Sequence, residues 1–246
     1  NWYATLNTHI QTARAYSLRA LARSKEGQEE HELILAAFAA RDVEGARQAQ
    51  LLHAERSRQG ILRLLYAFPE PLPLPRARSV QVAQAVVGLA SAGFTVELAY
   101  VPVPDREPLE SASLQAPEGL SFLPISRSCP WPLGAFRPFS RWHSVRFFAF
   151  RVLREIRLRQ PSVIYVRHLK LAAQLLDRKN LPPLIYEAHE VFADTVATNK
   201  RANTEATERM VVRRAAGVVC NSRATSERLV ALYGPIRRLL VLPNGV

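Results

Sequence analysis

The sequence predicts an α/β fold, with helices on both faces of a parallel β-sheet, preceded by a small all-α segment. After residue 60, short aliphatic runs typical of buried strands alternate with stretches of helical periodicity. Within residues 1–60, apolar residues recur at helical spacing and no run has the character of a strand. Residues 1–60 and 61–246 are therefore predicted to form two separate domains.

The composition is that of a globular protein whose charge is unevenly distributed. The 246 residues are 48% hydrophobic and 22% charged, with a formal net charge of +12. Residues 1–60 hold 8 Lys and Arg against 7 Asp and Glu, so nearly all of the positive excess follows them. This excess predicts an anionic partner for the second domain, such as a phosphate-bearing ligand, acidic lipid or nucleic acid.

Cysteine usage and hydropathy indicate a reducing compartment. Cys129 and Cys220 lie far apart, without metal-ligand spacing. No apolar run is long enough to cross a bilayer, and the first residues lack the pattern of a signal peptide. The sequence therefore predicts a cytoplasmic location. Because it begins at Asn1 and ends with LPNGV, the chain is interpreted as a fragment.

Three helices are predicted in residues 1–60. The first is predicted to end before Gly27. The second contains EEHELILAAFAA, whose leading acids suit a helix N-terminus. Asp42 is predicted to cap the third, VEGARQAQLLHAERSRQ. Because a short turn joins the last two helices, they should pack antiparallel, which could bring His31 and His53 together.

Seven strands alternate with five helices in residues 61–246. The predicted strands are ILRLLYAF, FTVELAYVPV, LSFLPI, SVIYVRH, PPLIYEAHE, GVVCNS and RRLLVLP. Ser79 is predicted to cap the first helix and Gly93 to end it, and Ser222 is predicted to cap the last. This alternation is typical of a Rossmann-like domain, in which ligands bind at the carboxyl ends of the strands.

The loops after the strands carry the candidate binding residues. Neither G-x-G-x-x-G nor G-x-x-x-x-G-K-[ST] occurs, which argues against a dinucleotide cofactor and a P-loop site. Arg76, Arg78 and Ser79 lie where a helix begins, a position suited to binding phosphate. Arg167 and His168 follow the fourth strand and are expected to line the same cleft. A strand-end ion pair is the alternative interpretation of Arg167.

His189, in the motif YEAHE, is the strongest single candidate. It follows the fifth strand, in a loop expected at the ligand-binding edge of the sheet. Glu187 and Glu190 flank it and are expected to orient the ring or to bind ligand hydroxyl groups. A loop histidine hydrogen-bonded to its neighbours is the alternative interpretation.

Five motifs occur in the order VIYVRH, YEAHE, ERMVVRRAAGVVCNS, SERLVALYG and LPNGV. From about residue 61 to the end, the chain resembles the N-terminal domain of a family-4 glycosyltransferase of the GT-B fold. The resemblance implies that this domain holds a sugar or lipid-linked acceptor. A second Rossmann domain would hold the nucleotide-sugar, whose sugar is transferred with retention and without a further cofactor.

The same resemblance assigns roles to single residues. It makes His189 the candidate catalytic residue, in contact with the donor sugar, and places Asn244 and Gly245 where the chain crosses into the donor domain. Since the family's paired donor-binding glutamates would lie beyond that point, the chain alone is expected to be inactive. Family members place glycines in the loop after the first strand. None lies between Phe68 and Gly88, so the arginines are expected to bind phosphate instead.

The run EEHELILAAFAARDVEGARQAQLLHAERSRQGIL resembles the C-terminal end of the FCD ligand-binding domain of GntR-type transcription regulators. The resemblance covers residues 1–60 and implies that His31 and His53 help to bind a divalent metal such as zinc. The family's other ligands, an Asp and a His on an earlier helix, have no counterpart. The winged helix that reads DNA is also missing, so DNA binding is not expected. Two solvent-exposed histidines are the alternative.

The segment WPLGAFRPFSRWHSVRFFAFRVLREIRLR interleaves aromatic residues with arginines. Three interpretations remain open. A basic aromatic helix suits an acidic membrane surface, which predicts peripheral contact near a lipid-linked acceptor at the inner face of the membrane. The second interpretation is a core helix with a solvated arginine face. The third, nucleic-acid binding, lacks a helix-turn-helix to support it.

Two functional hypotheses follow. The leading one is the acceptor-side half of a sugar transferase behind a residual helical segment. The alternative is a regulatory protein whose helices sense a metal-bound carboxylate. No linker rich in Pro, Gly or Ser separates the two parts near Gly60, which indicates either a fusion or an artificial join.

Overall fold

A computed structural model describes residues 18–59, 63–127 and 137–242. Helices α1 (Leu18–Ala39) and α2 (Val43–Gln59) come first. The strands that follow are β1 (Arg63–Leu72), β2 (Thr95–Pro102), β3 (Leu120–Pro124), β4 (Val163–Val166), β5 (Leu184–Ala188), β6 (Gly217–Cys220) and β7 (Leu239–Val241). The helices among them are α3 (Ala77–Ser91), α4 (Arg137–Arg159), α5 (Leu169–Leu176), α6 (Phe192–Thr195), α7 (Thr198–Arg214) and α8 (Arg223–Tyr233), and a 3-10 turn spans Glu110–Ala112.

Helices α1 and α2 form the predicted hairpin. Asp42 caps α2 as expected, because its Oδ1 accepts a hydrogen bond of 2.9 Å from the amide of Gly45. The prediction that Gly27 ends a helix is wrong, since α1 runs through it. A single glycine costs about 1 kcal/mol in a helix, and the strong helix formers around it, Lys25, Glu26 and Gln28 among them, offset that cost.

All seven strands are parallel and lie in the order β3-β2-β1-β4-β5-β6-β7. The chain adds strands outward from β1 on one side and then continues from β4 on the other. The crevice between the carboxyl ends of β1 and β4 is therefore the point where the strand order reverses, which is where open α/β sheets bind ligands. The predicted α/β, Rossmann-like sheet is confirmed.

Helices cover both faces of this sheet, because alternate residues of each strand point to opposite sides. Leu64, Tyr66 and Phe68 of β1 belong to one buried cluster, which includes Val82 and Val86 of α3. The second cluster joins the intervening residues of β1 to buried side chains of α4, α5, α7 and α8: Leu65, Ala67, Phe148, Val152, Leu171, Val211 and Leu229. The predicted arrangement of helices on both faces is confirmed.

Two local predictions need correction. Strand β1 continues through Pro69–Leu72 instead of ending at Phe68, and its register with β2 shifts between Phe68 and Pro71. Proline lacks a backbone N–H, and such a shift is where a strand tolerates it. Ser79 is not the N-cap of α3, because that helix begins at Ala77 with Arg76 as its cap residue and no side-chain hydrogen bond.

The helical part of the basic aromatic segment packs against the sheet as α4. Phe148, Val152 and Ile156 are buried, whereas Phe150 and Leu158 are exposed. The interpretation as a core helix is therefore confirmed for one face of α4. None of the helices in the described ranges combines the length and hydropathy that crossing a bilayer requires.

Candidate functional site

Most of the residues predicted for the transferase site lie at the carboxyl edge of the sheet, around the reversal of strand order. Arg167 and His168 directly follow β4, and His189 and Glu190 directly follow the neighbouring strand β5. Residues 73–76 leave β1 at the same edge. Parallel strands bring these loops together although they lie far apart in sequence.

Arg167 and Glu187 form a buried ion pair at this edge. Arg167 is 3% exposed, and its Nη1 lies 3.4 Å from Oε1 of Glu187. Its Nη2 donates to Oε1 of Gln81 on α3, and Tyr66 on β1 donates a hydrogen bond of 3.1 Å to Oε2 of Glu187. The ion-pair interpretation of Arg167 is thus confirmed. Its buried Nε has no hydrogen-bond partner among the described residues, so one donor is left for a ligand.

Two stacked tyrosines support this pair from within the sheet. Tyr66 and Tyr165 are neighbours in register, with ring centroids 5.0 Å apart. Burial, and then the negative charge of Glu187, raises the pKa of both phenols well above the usual value. Both hydroxyl groups therefore stay protonated, and Tyr66 acts as a donor to the carboxylate of Glu187.

His189 is a neutral imidazole. Burial, and then the positive charges of Arg167 and Arg78, lowers its pKa to about 3. Its Nε2 lies 3.3 Å from Oε1 of Glu190, but this contact lacks the geometry of a hydrogen bond. Both ring nitrogens are buried without a hydrogen-bond partner among the described residues. The alternative interpretation, a ring satisfied by its neighbours, is not what the structure shows.

His168 is also neutral and has a structural role. Its Nδ1 accepts a hydrogen bond of 3.3 Å from the amide of Leu171, which caps α5. Burial lowers its pKa to about 4, against the opposing effect of Glu70. With Nδ1 accepting, the proton of the neutral ring is assigned to Nε2, which can donate to a ligand.

The arginines of the loop after β1 are exposed. Arg78 pairs with Glu70 at 2.7 Å, with its side chain 43% exposed, and Arg76 is exposed at the start of α3. Ser79 is 3% exposed, because it lies inside the first turn of α3 instead of at the cap. Arg76 and Arg78 are therefore the groups of this predicted phosphate cradle that solvent reaches. Asn244 and Gly245 lie outside the described residues.

Glu208, which the sequence analysis missed, fixes the loop that carries His189. Its carboxylate is fully buried and accepts hydrogen bonds from the amides of Phe192 (2.9 Å) and Ala193 (3.2 Å) and from the hydroxyl of Tyr233 (2.7 Å). Asn221 holds the same loop by donating to the carbonyl of His189 at 2.9 Å. No signal in the sequence marks Glu208, since its amide partners lie 15 and 16 residues away.

His31 and His53 come together as the antiparallel hairpin predicts, with ring centroids 4.6 Å apart. Nδ1 of His53 lies 2.9 Å from Oε2 of Glu30, a carboxylate that is almost fully buried. Within the described residues, no three His, Cys, Asp or Glu side chains are placed to hold a metal ion. A tetrahedral zinc site needs more ligands than two imidazoles supply. Metal binding by His31 and His53 therefore stays a prediction.

Comparison with known proteins agrees with both resemblances. The model of the FCD domain matches residues 1–56, and the model of Glycosyltransferase Family 4 matches residues 79–246. No curated protein matches the sequence.

Solved structures share the fold at low sequence identity. Sucrose-phosphate synthase from Thermosynechococcus elongatus superposes with a TM-score of 0.55 at 12% identity, over 75% of this chain and 48% of that one. The Anabaena protein Alr3699/HepE, in complex with UDP-glucose, gives a TM-score of 0.51 at 12% identity, over 75% of this chain and 44% of that one. This chain thus spans about half the length of these solved chains. Its family model covers most of the sequence, and the chain belongs to Glycosyltransferase Family 4.

Proposed function

We propose that the chain supplies the acceptor-binding half of a retaining glycosyltransferase, which moves a hexosyl group from a nucleotide-sugar to a sugar or lipid-linked acceptor. The observation that carries this proposal is the convergence of Arg167, Glu187 and His189 at the carboxyl edge of a sheet of this family. The complex of HepE with UDP-glucose supports a nucleotide-sugar as the donor.

His189 is the proposed contact to the donor sugar and the candidate catalytic residue. A neutral imidazole offers one donor and one acceptor, which suits a sugar hydroxyl group. Leaving two ring nitrogens buried without partners costs free energy, and a bound hydroxyl would recover part of it. The side chain is 11% exposed, and we propose that a rotation of the ring on ligand binding would bring a nitrogen to the surface. Glu190, one third exposed, is placed to bind a second hydroxyl group.

The arginines are proposed to bind the anionic part of a substrate. Arg76 and Arg78 are exposed at the start of α3, where the helix dipole also favours an anion. Arg167 lies deeper, fixed by Glu187 and Gln81, with its Nε still without a partner among the described residues. His168 completes this set through its Nε2–H. The proposed ligand is the phosphate of a donor or of a lipid-linked acceptor.

The proposal assigns donor binding to a second domain. The solved chains of similar fold are about twice as long as the part that this chain covers. We accordingly propose that residues 1–246 bind an acceptor and do not turn over a nucleotide-sugar alone. Detectable transfer of labelled sugar by this chain would contradict that part of the proposal.

The test is a binding map on the 246-residue chain. Amide NMR shifts should be recorded while a panel of UDP-sugars, sugar acceptors and polyprenyl phosphates is added. Shifts should concentrate at residues 167–168 and 187–190, and the Arg78→Ala variant should weaken binding of the phosphate-bearing ligands about tenfold.

Arg106→Ala is the matched control. Arg106 pairs with Glu110 at 2.8 Å and its side chain is 39% exposed, close to the values for Arg78 and its partner Glu70. Binding by this variant should equal that of the natural chain. Absence of shifts at the carboxyl edge with every ligand of the panel would overturn the assignment of the acceptor site.

Helix α4 is proposed to contact the inner face of the cytoplasmic membrane. Phe150, Arg154, Arg157 and Leu158 are exposed and lie on one side of the helix. This combination of exposed apolar and basic side chains suits an acidic lipid surface. The Phe150→Ser/Leu158→Ser variant should lose sedimentation with phosphatidylglycerol vesicles, and unchanged sedimentation would contradict the contact.

The helical hairpin has a second candidate function, favoured by the proximity of His31 and His53. We propose that these histidines bind a divalent metal such as zinc, as in a carboxylate-sensing regulator. Calorimetry with zinc should give binding to the natural chain that the His53→Ala variant loses. The His143→Ala variant removes a histidine outside the hairpin and should bind zinc normally. Failure of the natural chain to bind zinc would rule this function out.

A further inference from the structure

The candidate site has two parts of opposite charge. The inner part is defined by Arg167, Glu187, His189 and Glu190, which lie where β4 and β5 end. Arg167 and Glu187 balance each other, and His189 is neutral because burial, and then nearby positive charge, lowers its pKa to about 3. Glu190 lies beside this neutral ring, with its side chain one third exposed. Among the described residues, negative charge is therefore in excess in the inner part.

The outer part is positively charged. We call it the cationic rim and define it by Arg76, Arg78 and Lys170, whose side chains are all exposed. Glu70 pairs with Arg78 at 2.7 Å. Within the ranges that the structure describes, no carboxylate lies within ion-pair distance of Arg76 or Lys170. Positive charge is therefore in excess at the rim.

Lys170 is the rim residue whose position the helix itself does not favour. It lies in the first turn of α5, which contains no acidic residue. The helix dipole disfavours a cation at this end and favours an anion. The amides of Leu169 and Lys170 have no acceptor among the described residues, whereas the amide of Leu171 donates to His168. A bound anion would accept from these amides and offset the charge of Lys170.

His168 lies between the rim and the inner part. Burial lowers its pKa to about 4, Glu70 opposes this shift, and the charges of Lys170 and Arg78 add to it. The charges of Arg78 and His168 also contribute to the lowered pKa of His189, after burial and Arg167. These groups act on one another because they are close in space. One ligand can therefore contact both parts.

Buried atoms without a partner indicate a ligand independently of these charges. Nε of Arg167 and both ring nitrogens of His189 are buried without a hydrogen-bond partner among the described residues. Arg167 is 3% exposed, so water does not readily satisfy its Nε. Buried polar groups in folded proteins nearly always have a partner. A ligand with hydroxyl groups would supply the missing acceptors and donors in the inner part.

We propose that the acceptor is a hydroxyl-rich ring that itself carries a phosphate group. Its hydroxyl groups bind the inner part, where the excess of negative charge would repel an anion. Its phosphate binds Lys170, Arg78 and the first amides of α5. The phosphate belongs either to a soluble sugar phosphate or to the head group of a lipid. This inference rests on the proposed function, because it names the substrate class of the same site.

The first arm of the test is calorimetry of the whole chain with three pairs of ligands: glucose, mannose and galactose, each with its 6-phosphate. At least one phosphorylated sugar should bind about tenfold or more tightly than its neutral partner. In the Lys170→Gln variant, the ratio of these two affinities should fall about tenfold. Lys170 is exposed, and Gln has a helix propensity similar to that of Lys, so the variant is expected to fold. Circular dichroism checks this.

Lys179→Gln is the matched control. Lys179 is also an exposed lysine, but it lies beyond the C-terminal end of α5, at the opposite edge of the sheet. Its removal changes the net charge by the same amount, and the affinity ratio should equal that of the natural chain. An equal fall of the ratio in both variants would show a general effect of charge and overturn the inference.

The second arm distinguishes the two sources of the phosphate. Sedimentation with phosphatidylcholine vesicles, with and without phosphatidylinositol, is measured in the Phe150→Ser/Leu158→Ser background, which removes the proposed contact through α4. Sedimentation with the inositol lipid that Lys170→Gln abolishes would support the inference and identify a lipid head group. Absence of Lys170-dependent binding in both arms would overturn it.

UDP tests whether the rim serves the donor instead. Binding of UDP that falls as much in Lys170→Gln as binding of the sugar phosphates would assign the rim to the donor and overturn the inference. The proposed function would still stand in that case if neutral sugars shift the amide signals of residues 187–190. Phosphate binding at the rim without any such shift would contradict both.

Discussion

Glu208 shows how much one buried carboxylate contributes to the site. It accepts three hydrogen bonds, two from the amides that begin α6 and one from Tyr233 on α8. The two amide bonds hold the loop that carries His189 against α7, and the third joins Glu208 to α8. Removing such a carboxylate leaves buried donors without partners, which costs more than the hydrogen bonds themselves contribute.

The Glu208→Ala variant should therefore lose about 3 kcal/mol or more of the free energy of unfolding, measured in urea. Amide exchange at Phe192 and Ala193 should also become faster, because these two amides lose their acceptor. Tyr233→Phe is the control that removes one bond, with an expected loss of about 1 to 2 kcal/mol. Equal stability of Glu208→Ala and the natural chain would contradict the role given to Glu208.

His189 and His168 should make stability depend on pH in the acid range. Burial lowers their pKa values to about 3 and about 4, whereas unfolded histidine titrates near 6.5. Between these values the unfolded chain binds more protons, so the free energy of unfolding rises with pH up to about 6.5 and is then constant for these groups. Urea unfolding at several pH values measures this slope.

The His189→Gln variant should show a smaller slope over the same range, because one of the two titrating groups is gone. The natural chain should also keep the NMR signals of a neutral His189 ring throughout the range from about pH 5 to 8. A His189 ring that titrates near its ordinary pKa would show that the imidazole is not buried as described.

At the scale of elements, caps and loops decide where each helix begins. Ser222 accepts a hydrogen bond of 3.1 Å from the amide of Thr225 and caps α8 as the sequence predicted. α8 packs Leu229 and Tyr233 into the core, and Tyr233 in turn reaches Glu208. The cap at Ser222 therefore helps to hold Tyr233 in place. Tyr233 in turn bonds Glu208, which positions the His189 loop.

Replacing Ser222 by Ala should cost about 1 kcal/mol in the free energy of unfolding, because the amide of Thr225 loses its acceptor. Ser222→Asp keeps a capping oxygen and should remain close to the natural stability. Thermal unfolding of both variants measures the difference, and an equal loss in both would argue against capping as the cause.

At the scale of the whole molecule, the hydrophobic core belongs to the sheet and its own helices. Among the side chains that the structure describes, the two buried clusters and the residues packed against them include none from α1 or α2. In the hairpin, by contrast, Leu33, Leu35, Phe38, Val43, Leu51 and Leu52 are exposed. The sheet domain therefore has the apolar contacts that a domain needs to fold alone.

A chain that starts at residue 61 should keep the unfolding midpoint and the α/β circular dichroism of the sheet domain. The reason is that no described side chain of α1 or α2 belongs to either cluster. This outcome would also support the predicted domain boundary at residue 60. A midpoint lowered by more than about 5 °C would show that the hairpin stabilises the sheet.

Periodicity by itself determined the architecture of this protein: a helical hairpin, then a parallel sheet with helices on both faces. Strand and helix patterns follow from local burial. The caps at Asp42 and Ser222 and the stop at Gly93 follow from the preferences of single residues, so they could also be predicted. Errors fell where local signals conflict, as at Gly27 inside α1 and at the prolines that end β1. Propensity is a weak guide there, because packing and register outweigh it.

The tertiary structure alone decided how the candidate site is assembled. The strand order places β4 beside β1 and β5, which brings Arg167, Glu187 and Tyr66 into one buried network. Glu208 accepts hydrogen bonds from two amides that lie 15 and 16 residues away in sequence. Such contacts depend on which segments meet in space and on the low dielectric where they meet. The local pattern of residues predicts neither of these.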